Sequence, residues 1–273
     1  MLVQTLALGQ NGAVDVEEEK SGTLVRALEL VRDGDVLAAR RPEYYVADLA
    51  QKMSEQLILH EDFGHYEKAP DIGKVGFPYY DTVYDVETEA AYWEQAMAWN
   101  RKLRKTHWPM MSPIDRVHIE LDEAWPHGTR LLHDAAGRAA FAGLARVFQA
   151  GAQALPHVDR LEWDAPKNRF DFTPVAQIAM NVYLRMPEKG GEVAIWAKKP
   201  DQQEHQGLRI PGSYGLNREL LGDPDLVIRP QQGDLLFFDA QNVHAVFPSE
   251  GGERVTVSFF ILIAPNGAMF IYS

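Results

Sequence analysis

The sequence predicts a mainly β protein with flanking helices gathered in its first half, and three observations carry that expectation. Residues 21–32, 44–59 and 87–105 place apolar side chains at helical spacing, the second stretch aligning Val46, Leu49, Ala50, Met53 and Leu57. Further along, the pattern becomes short strand-like runs separated by Gly and Pro. The length of 273 residues and the 46% hydrophobic content suffice for one large core. A single domain is expected over 1–273, with 1–135 a mainly helical amino-terminal elaboration and 142–264 a β core.

In chain order, Val36–Ala39 reads as an early strand. Residues 62–85 carry Gly64, Pro70, Gly73, Gly76 and Pro78 among aromatic side chains. A stretch of that length is either a packed connection or a functional lid. Val117-His118-Ile119-Glu120-Leu121 alternates cleanly and reads as a strand with His118 and Glu120 on its polar face. The run from Ala145 ends at Gly151, and Pro156 leads into His157. Residues 198–229 interrupt the strands and, like 62–85, could cover the mouth of a barrel. Pro230–Asp239 reads as a turn feeding an apolar strand, 242–248 as a second extended run, 249–253 as a turn, and Arg254–Ile263 as the return strand. In that strand Arg254, Thr256 and Ser258 share one face, while Val255, Val257, Phe259 and Ile261 share the other. A polar face on so apolar a strand needs a reason.

Composition removes several function classes. A formal charge of −12 argues against a general nucleic-acid surface. No apolar run approaches a membrane span and the amino terminus lacks a signal pattern, so a cytoplasmic location without membrane contact is expected. The chain has no cysteine, which excludes disulfides, thiolate metal sites and cysteine nucleophiles. No glycine-rich phosphate loop or nucleophile-elbow motif is visible. The expected partner is a small-molecule substrate, with a homodimer left open.

Spacing of histidine and acid is the most informative remaining pattern, although a single His-x-acid match is weak. With nine histidines and 39 acidic residues, about one is expected by chance. Context separates His60-Glu61-Asp62, His118-Ile119-Glu120 and His157-Val158-Asp159. The first lies past a helix end. The second is a competitor, but no second histidine with a following arginine is arranged around it. In the third, strand alternation sends His157 and Asp159 to one side, where they can grip one ion. His244 supplies a second imidazole, and Arg254 follows ten residues later. Two imidazoles and a carboxylate can occupy one face of octahedral Fe(II) and leave the opposite face open.

If 242–248 and 254–263 form a hairpin about Gly251, Arg254 lies roughly 13 Å along the sheet from the level of His244. An extended dicarboxylate paired with the arginine fork spans that distance. Asn181 and Tyr183 share a strand face and are candidates to reach such a cosubstrate, as is Thr256 on weaker grounds. Each residue alone has an ordinary reading: a core histidine, a surface ion pair, a buried polar group satisfying the backbone. Their joint occurrence in strand context favours metal binding. Trp196 reads as core, and Arg146, Arg160, Arg169 and Lys198 are unranked candidates to hold a substrate carboxylate.

Taken together, His157-x-Asp159, His244 and Arg254, with Asn181-Val-Tyr-Leu-Arg-Met-Pro-Glu-Lys-Gly-Gly-Glu192 and Gly233-Asp-Leu-Leu-Phe-Phe238 between them, resemble the Fe(II)/2-oxoglutarate-dependent dioxygenase superfamily over about 142–264. That resemblance implies a double-stranded β-helix, a jelly-roll or cupin-like barrel with helices packed against it. It implies Fe(II) held by His157, Asp159 and His244, and 2-oxoglutarate anchored through its distal carboxylate by Arg254, with Asn181 and Thr256 nearby. It also implies O2 as co-reactant, release of succinate and CO2, and hydroxylation of an unactivated C–H. The length and amino-terminal segment are similar to the branch that hydroxylates free-standing amino acid derivatives, such as N-succinyl amino acids, and that is related to aliphatic halogenases. In those halogenases Gly or Ala replaces the metal carboxylate. Asp159 departs from that pattern and points to hydroxylation. Two other readings stay open: a metal-dependent isomerase, hydrolase or oxygenase that would not require Arg254, and a non-catalytic ligand-binding barrel, against which the intact triad counts.

Overall fold

Alternating runs in the second half of the chain resolve into two facing sheets, because each run has one face that must be buried against another layer. The computed structural model describes residues 13–15, 21–67, 69–82, 85–165 and 170–273. Four strands form the centre of the larger sheet, in the order Leu235–Asp239, Ala176–Arg185, Arg254–Ile263 and Leu144–Phe148. Four others form the smaller sheet, in the order Leu226–Ile228, Val193–Ile195, His244–Val246 and Ala154–His157. Along the chain these strands pass repeatedly from one sheet to the other. This is the jelly-roll arrangement of a double-stranded β-helix.

The larger sheet is extended at both ends by the amino-terminal half. Ala38–Arg41 pairs with Leu235–Asp239 at one end, and Ile72–Val75 pairs with Leu144–Phe148 at the other. Its outer face carries Ile178, Met180, Val182 and Leu184 from one strand and Val255, Val257, Phe259 and Ile261 from the next. Four helices, Ser21–Asp33, Ala47–Ile58, Val86–His107 and Pro113–Ala124, contribute Leu28, Met53, Tyr92, Ala96, Val117 and Leu121 to the same apolar cluster. The alternate residues, including Gln177, Asn181, Tyr183, Arg254, Thr256 and Ser258, therefore point into the space between the sheets.

Two expectations are corrected. Val117–Leu121 is helical, lying within Pro113–Ala124, where Ser112 caps the first turn by accepting from the Ile114 N–H and Pro113 opens the helix. The buried positions Ile114, Val117 and Leu121 have helical spacing, and a five-residue window was too short to separate that from alternation. On this helix His118 and Glu120 diverge, with His118 Nε2 3.3 Å from the Thr129 carbonyl and Glu120 paired with Arg41 and Arg116.

The second correction concerns the hairpin about Gly251, which does not form. The His244 strand pairs with Val193–Ile195 and Ala154–His157 in the smaller sheet, whereas the Arg254 strand pairs with Leu144–Phe148 and Ala176–Arg185 in the larger. Between them Ser249–Glu250 pairs with Lys189–Gly190, and the chain turns through Gly251 and Gly252, both at positive φ. Gly190 is required at this corner. Its φ is +73, and a Cβ there would sit 2.1 Å from the Pro248 carbonyl oxygen.

The described part of 62–85 is more ordered than a plain loop. It supplies the strands Gly64–His65 and Ile72–Val75 and a short 3-10 turn at Tyr79–Thr82. Residues 198–229 fold into the helices Gln202–Leu208 and Arg218–Leu221 and the strand Leu226–Ile228. Tyr84 and Arg169 lie outside the described residues.

Candidate active site

His157 ends its strand, and Asp159 follows in extended chain held by a 2.9 Å bond from its N–H to the Ala240 carbonyl. His244 opens the neighbouring strand, and its Cα is in register with that of His157. Cross-strand pairing brings the two rings to 4.3 Å between centroids. His244 Nε2 lies 3.2 Å from Asp159 Oδ2, and His157 Nε2 lies 3.8 Å from the same oxygen. One ligand atom from each residue falls within 4.8 Å of the others.

Tautomers follow from the backbone. His157 Nδ1 is 2.7 Å from the Leu155 carbonyl and His244 Nδ1 is 2.9 Å from the Asn242 carbonyl. A carbonyl only accepts, so both Nδ1 atoms carry the proton and a neutral ring leaves its Nε2 lone pair aimed inward. Burial, reinforced by His244, lowers the His157 pKa to about 4, so its ring is neutral at neutral pH. Burial works against the Asp159 charge, yet the imidazoles and Arg146 outweigh it and hold the carboxyl at about 2. Two imidazole lone pairs and a carboxylate thus converge on one point, an arrangement that requires a shared positive charge. The donor set of two nitrogens and one oxygen fits Fe(II), and the carbonyls on Nδ1 are the outer partners such a site uses.

Beside His157 and Asp159 lies a cavity of about 230 Å³. Its walls come from both sheets and from both long segments: Tyr66, Tyr79 and Tyr80 from 62–85, and His205, Arg209 and Tyr214 from 198–229. Tyr214 Oη accepts from the Leu155 N–H at 3.0 Å, and its ring stands edge-on to His157 at 5.9 Å. Trp196 is core as expected, 2% exposed, its Nε1 donating to the Gly222 carbonyl.

Arg254 lies on the facing sheet, 3% exposed. Its guanidinium carbon is 4.9 Å from the Phe148 ring centre and 5.0 Å from that of Tyr183, and Nη2 donates to Tyr183 Oη at 3.3 Å. Nε is buried without a partner. Burial lowers the Arg254 pKa, and Tyr183 only partly offsets this. A buried cation lacking its counter-charge costs on the order of 3–5 kcal/mol, so this position fits an anionic ligand such as a carboxylate. Thr256 is buried across from Tyr183, and Asn181 is half-buried across from Ser258 on the same inner face. Arg254, Thr256 and Asn181 are not among the side chains lining the cavity.

Sequence reasoning left Arg146 unranked and did not single out Tyr66, Phe260 or Tyr272, all of which line the cavity. The aromatic density of 62–85 was the available signal for Tyr66. Nothing local marked Tyr272, which reaches the site only because Met269–Tyr272 pairs beside Arg254–Ile263.

Comparison with known proteins favours one of the open readings. Residues 142–262 match the family model of the 2OG-Fe(II) oxygenase superfamily. This segment is similar to the core of the 2OG-Fe(II) oxygenases. L-gamma-glutamyl-L-propargylglycine hydroxylase of Streptantibioticus cattleyicolor is 30% identical over 142 residues, 50% of this chain and 50% of that protein. L-isoleucine 3(1)-dioxygenase of Pantoea ananatis is 33% identical over 131 residues, 46% of this chain and 44% of that protein. The chain thus spans about half the length of the curated relatives it matches. An N-substituted L-amino acid dioxygenase from Burkholderia ambifaria shares the oxygenase fold, with a TM-score of 0.63 at 14% identity over 92% of this chain and 91% of that one. Fe(II) and 2-oxoglutarate, the groups for which the superfamily is named, suit the donor triad and the buried arginine respectively.

Proposed function

We propose that this protein is an Fe(II)/2-oxoglutarate-dependent dioxygenase that hydroxylates an aliphatic C–H of a small amino acid or N-substituted amino acid. The observation that carries the reading is the convergence of the His157 and His244 Nε2 atoms and the Asp159 carboxylate within 4.8 Å. His157, Asp159 and His244 would hold the iron. Arg254 would pair with the distal carboxylate of 2-oxoglutarate, with Tyr183 orienting its guanidinium and Thr256 and Asn181 on the adjoining inner face. With O2, the bound iron and cosubstrate would supply the oxidising power, leaving succinate and CO2 as co-products. The chain's own part is to fix the ligand tautomers through backbone carbonyls, seat the cosubstrate against a buried cation, and keep the substrate in an aromatic-walled space. Amino acids as the substrate class draw support from the two curated relatives, both named for amino acid or dipeptide substrates.

Asp159 favours hydroxylation over halide transfer, since its carboxylate occupies the position a halide would need. Substrate-dependent succinate release across free and N-acylated amino acids, with product masses recorded in high chloride or bromide, tests the whole reading. A product gaining one oxygen is expected. A halogenated main product would remove Asp159 from the metal, and succinate release unaffected by any substrate would remove the hydroxylase assignment.

A further inference from the structure

Arg254 and Arg146 both project between the sheets, but they face different surroundings. Arg254 packs against the rings of Phe148 and Tyr183, whereas Arg146 lines the cavity together with His157 and Asp159. Arg146 lies on Leu144–Phe148, its Cα in register with Thr256. Its Nε donates to Tyr66 Oη at 3.1 Å and its Nη1 donates to Ser258 Oγ. Both partners are neutral, so they aim the guanidinium without cancelling its charge. A guanidinium has five N–H donors, and these bonds use two. Among the described residues no carboxylate is in direct ion-pair contact with Arg146; Asp159, a member of the triad, and Asp81, paired with Lys74, act on it only at longer range.

The other candidates differ on this point. Arg160 also lines the cavity but pairs with Glu162 and donates to the Pro200 carbonyl. Lys198 is exposed and is not part of the cavity lining. The cavity therefore combines one oriented fork without a direct ion-pair partner, apolar walls including Ile72, Ala154, Leu161 and Phe260, and two of the candidate iron ligands, His157 and Asp159.

We propose that Arg146 anchors a carboxylate of the primary substrate, so that this cavity selects small aliphatic carboxylic acids, α-amino acids and their N-acyl derivatives among them. The inference rests on the oxygenase reading and deepens it. Two arginines serve two anions: Arg254 takes the cosubstrate, and Arg146 takes the molecule to be oxidised. A carboxylate forked onto Arg146 directs the remaining carbon chain along the apolar wall beside the triad. Tyr66 and Ser258 are positioning residues, acting on the substrate only through the guanidinium. Arg146 makes the bidentate contact that a lysine point charge would reproduce only in part.

Calorimetry with Mn(II) in place of iron separates this proposal from the reading beneath it. The probes are leucine, isoleucine and lysine and their N-acetyl and N-succinyl forms, each compared with its primary carboxamide at the α-carboxyl, added after Mn(II) and 2-oxoglutarate. At least one acid should bind, and its carboxamide should bind at least about 30-fold more weakly. Arg146→Gln should weaken the acid to the level of the amide while leaving Mn(II) and 2-oxoglutarate affinity within about threefold, and Arg146→Lys should recover part of the loss. Tyr66→Phe guards against misfolding of the arginine variants, and should weaken the acid alone by a smaller factor. Acids and amides binding alike, no acid binding, or loss of 2-oxoglutarate affinity in Arg146→Gln before any probe is added would each overturn the role of Arg146. Failure of the unmodified protein to bind Mn(II) and 2-oxoglutarate would instead overturn the oxygenase reading itself.

Discussion

The smaller sheet presents electron pairs to the interior, and the larger sheet presents N–H donors. On the first, His157, Asp159 and His244 converge with their Nε2 and carboxylate atoms inward. On the second, Arg254 and Arg146 extend guanidinium groups from neighbouring strands, held by Tyr183, Tyr66 and Ser258. Neither wall is electrostatically complete, since the first calls for a cation and the second for anions. A metal with a chelating dianion would satisfy both at once, which would account for the polar groups kept inside a fold whose outer cluster is apolar.

The strongest test of the contrast removes the electron-pair wall. A His157→Ala/His244→Ala protein should lose Mn(II) or Fe(II) affinity by more than the roughly 100-fold that follows loss of an outer partner alone, as read by calorimetry. Metal bound as tightly as by the unmodified protein would show that the triad is a hydrogen-bonded cluster and not a ligand set.

Next in size is the donor wall. Arg254→Ala should weaken 2-oxoglutarate on the order of 100-fold, the cost of leaving a buried carboxylate without its partner, with Mn(II) binding nearly unchanged. Arg254→Lys should fall between, as a point charge without the fork. Equal cosubstrate affinity in all three proteins would make the arginine a packing element.

A smaller effect sharpens the comparison from outside the site. His107 resembles His157 in having its pKa lowered to about 4 by burial, but it sits 1% exposed at the end of Val86–His107 with Nδ1 unpartnered. Among the described residues it belongs to no group of three side chains placed to hold a metal ion. Its neutral form is favoured in the folded chain, while the unfolded ring takes up a proton near pH 6.5. Folding stability should therefore fall as pH drops from about 6.5 towards 4, by up to about 3 kcal/mol. Urea unfolding at pH 7 and pH 4.5 measures this, and His107→Phe should flatten the dependence without altering metal affinity. An unchanged slope in that variant would assign the acid sensitivity elsewhere.

The two buried histidines also show where sequence reading succeeds and stops. Nothing in the immediate neighbours of His107 or His157 distinguishes a core imidazole from a ligand. The distinction came from order along the chain, with Asp159 two residues on, His244 later and Arg254 after it. That combination was legible, as were the limits and inward face of Arg254–Ile263, because a period of two is a local property that any run of alternating residues displays. Pro113–Ala124 was misread because its five central residues satisfy that period as well as the helical one.

Which strand pairs with which is not local. His244–Val246 and Arg254–Ile263 are adjacent in sequence and look like a hairpin, yet each buries its outer face against a different layer, the first beneath Trp196 and Leu216 and the second beneath the helices. The sequence by itself determined the candidate ligand types, their order and the faces they occupy. Only the tertiary structure decided that the histidines and the arginines would stand on opposite sheets, and that Arg146 rather than Arg160 would meet the cavity without a direct ion-pair partner. Both outcomes depend on closing a barrel from segments far apart in the chain, where the burial of whole faces outweighs the pairing of neighbours.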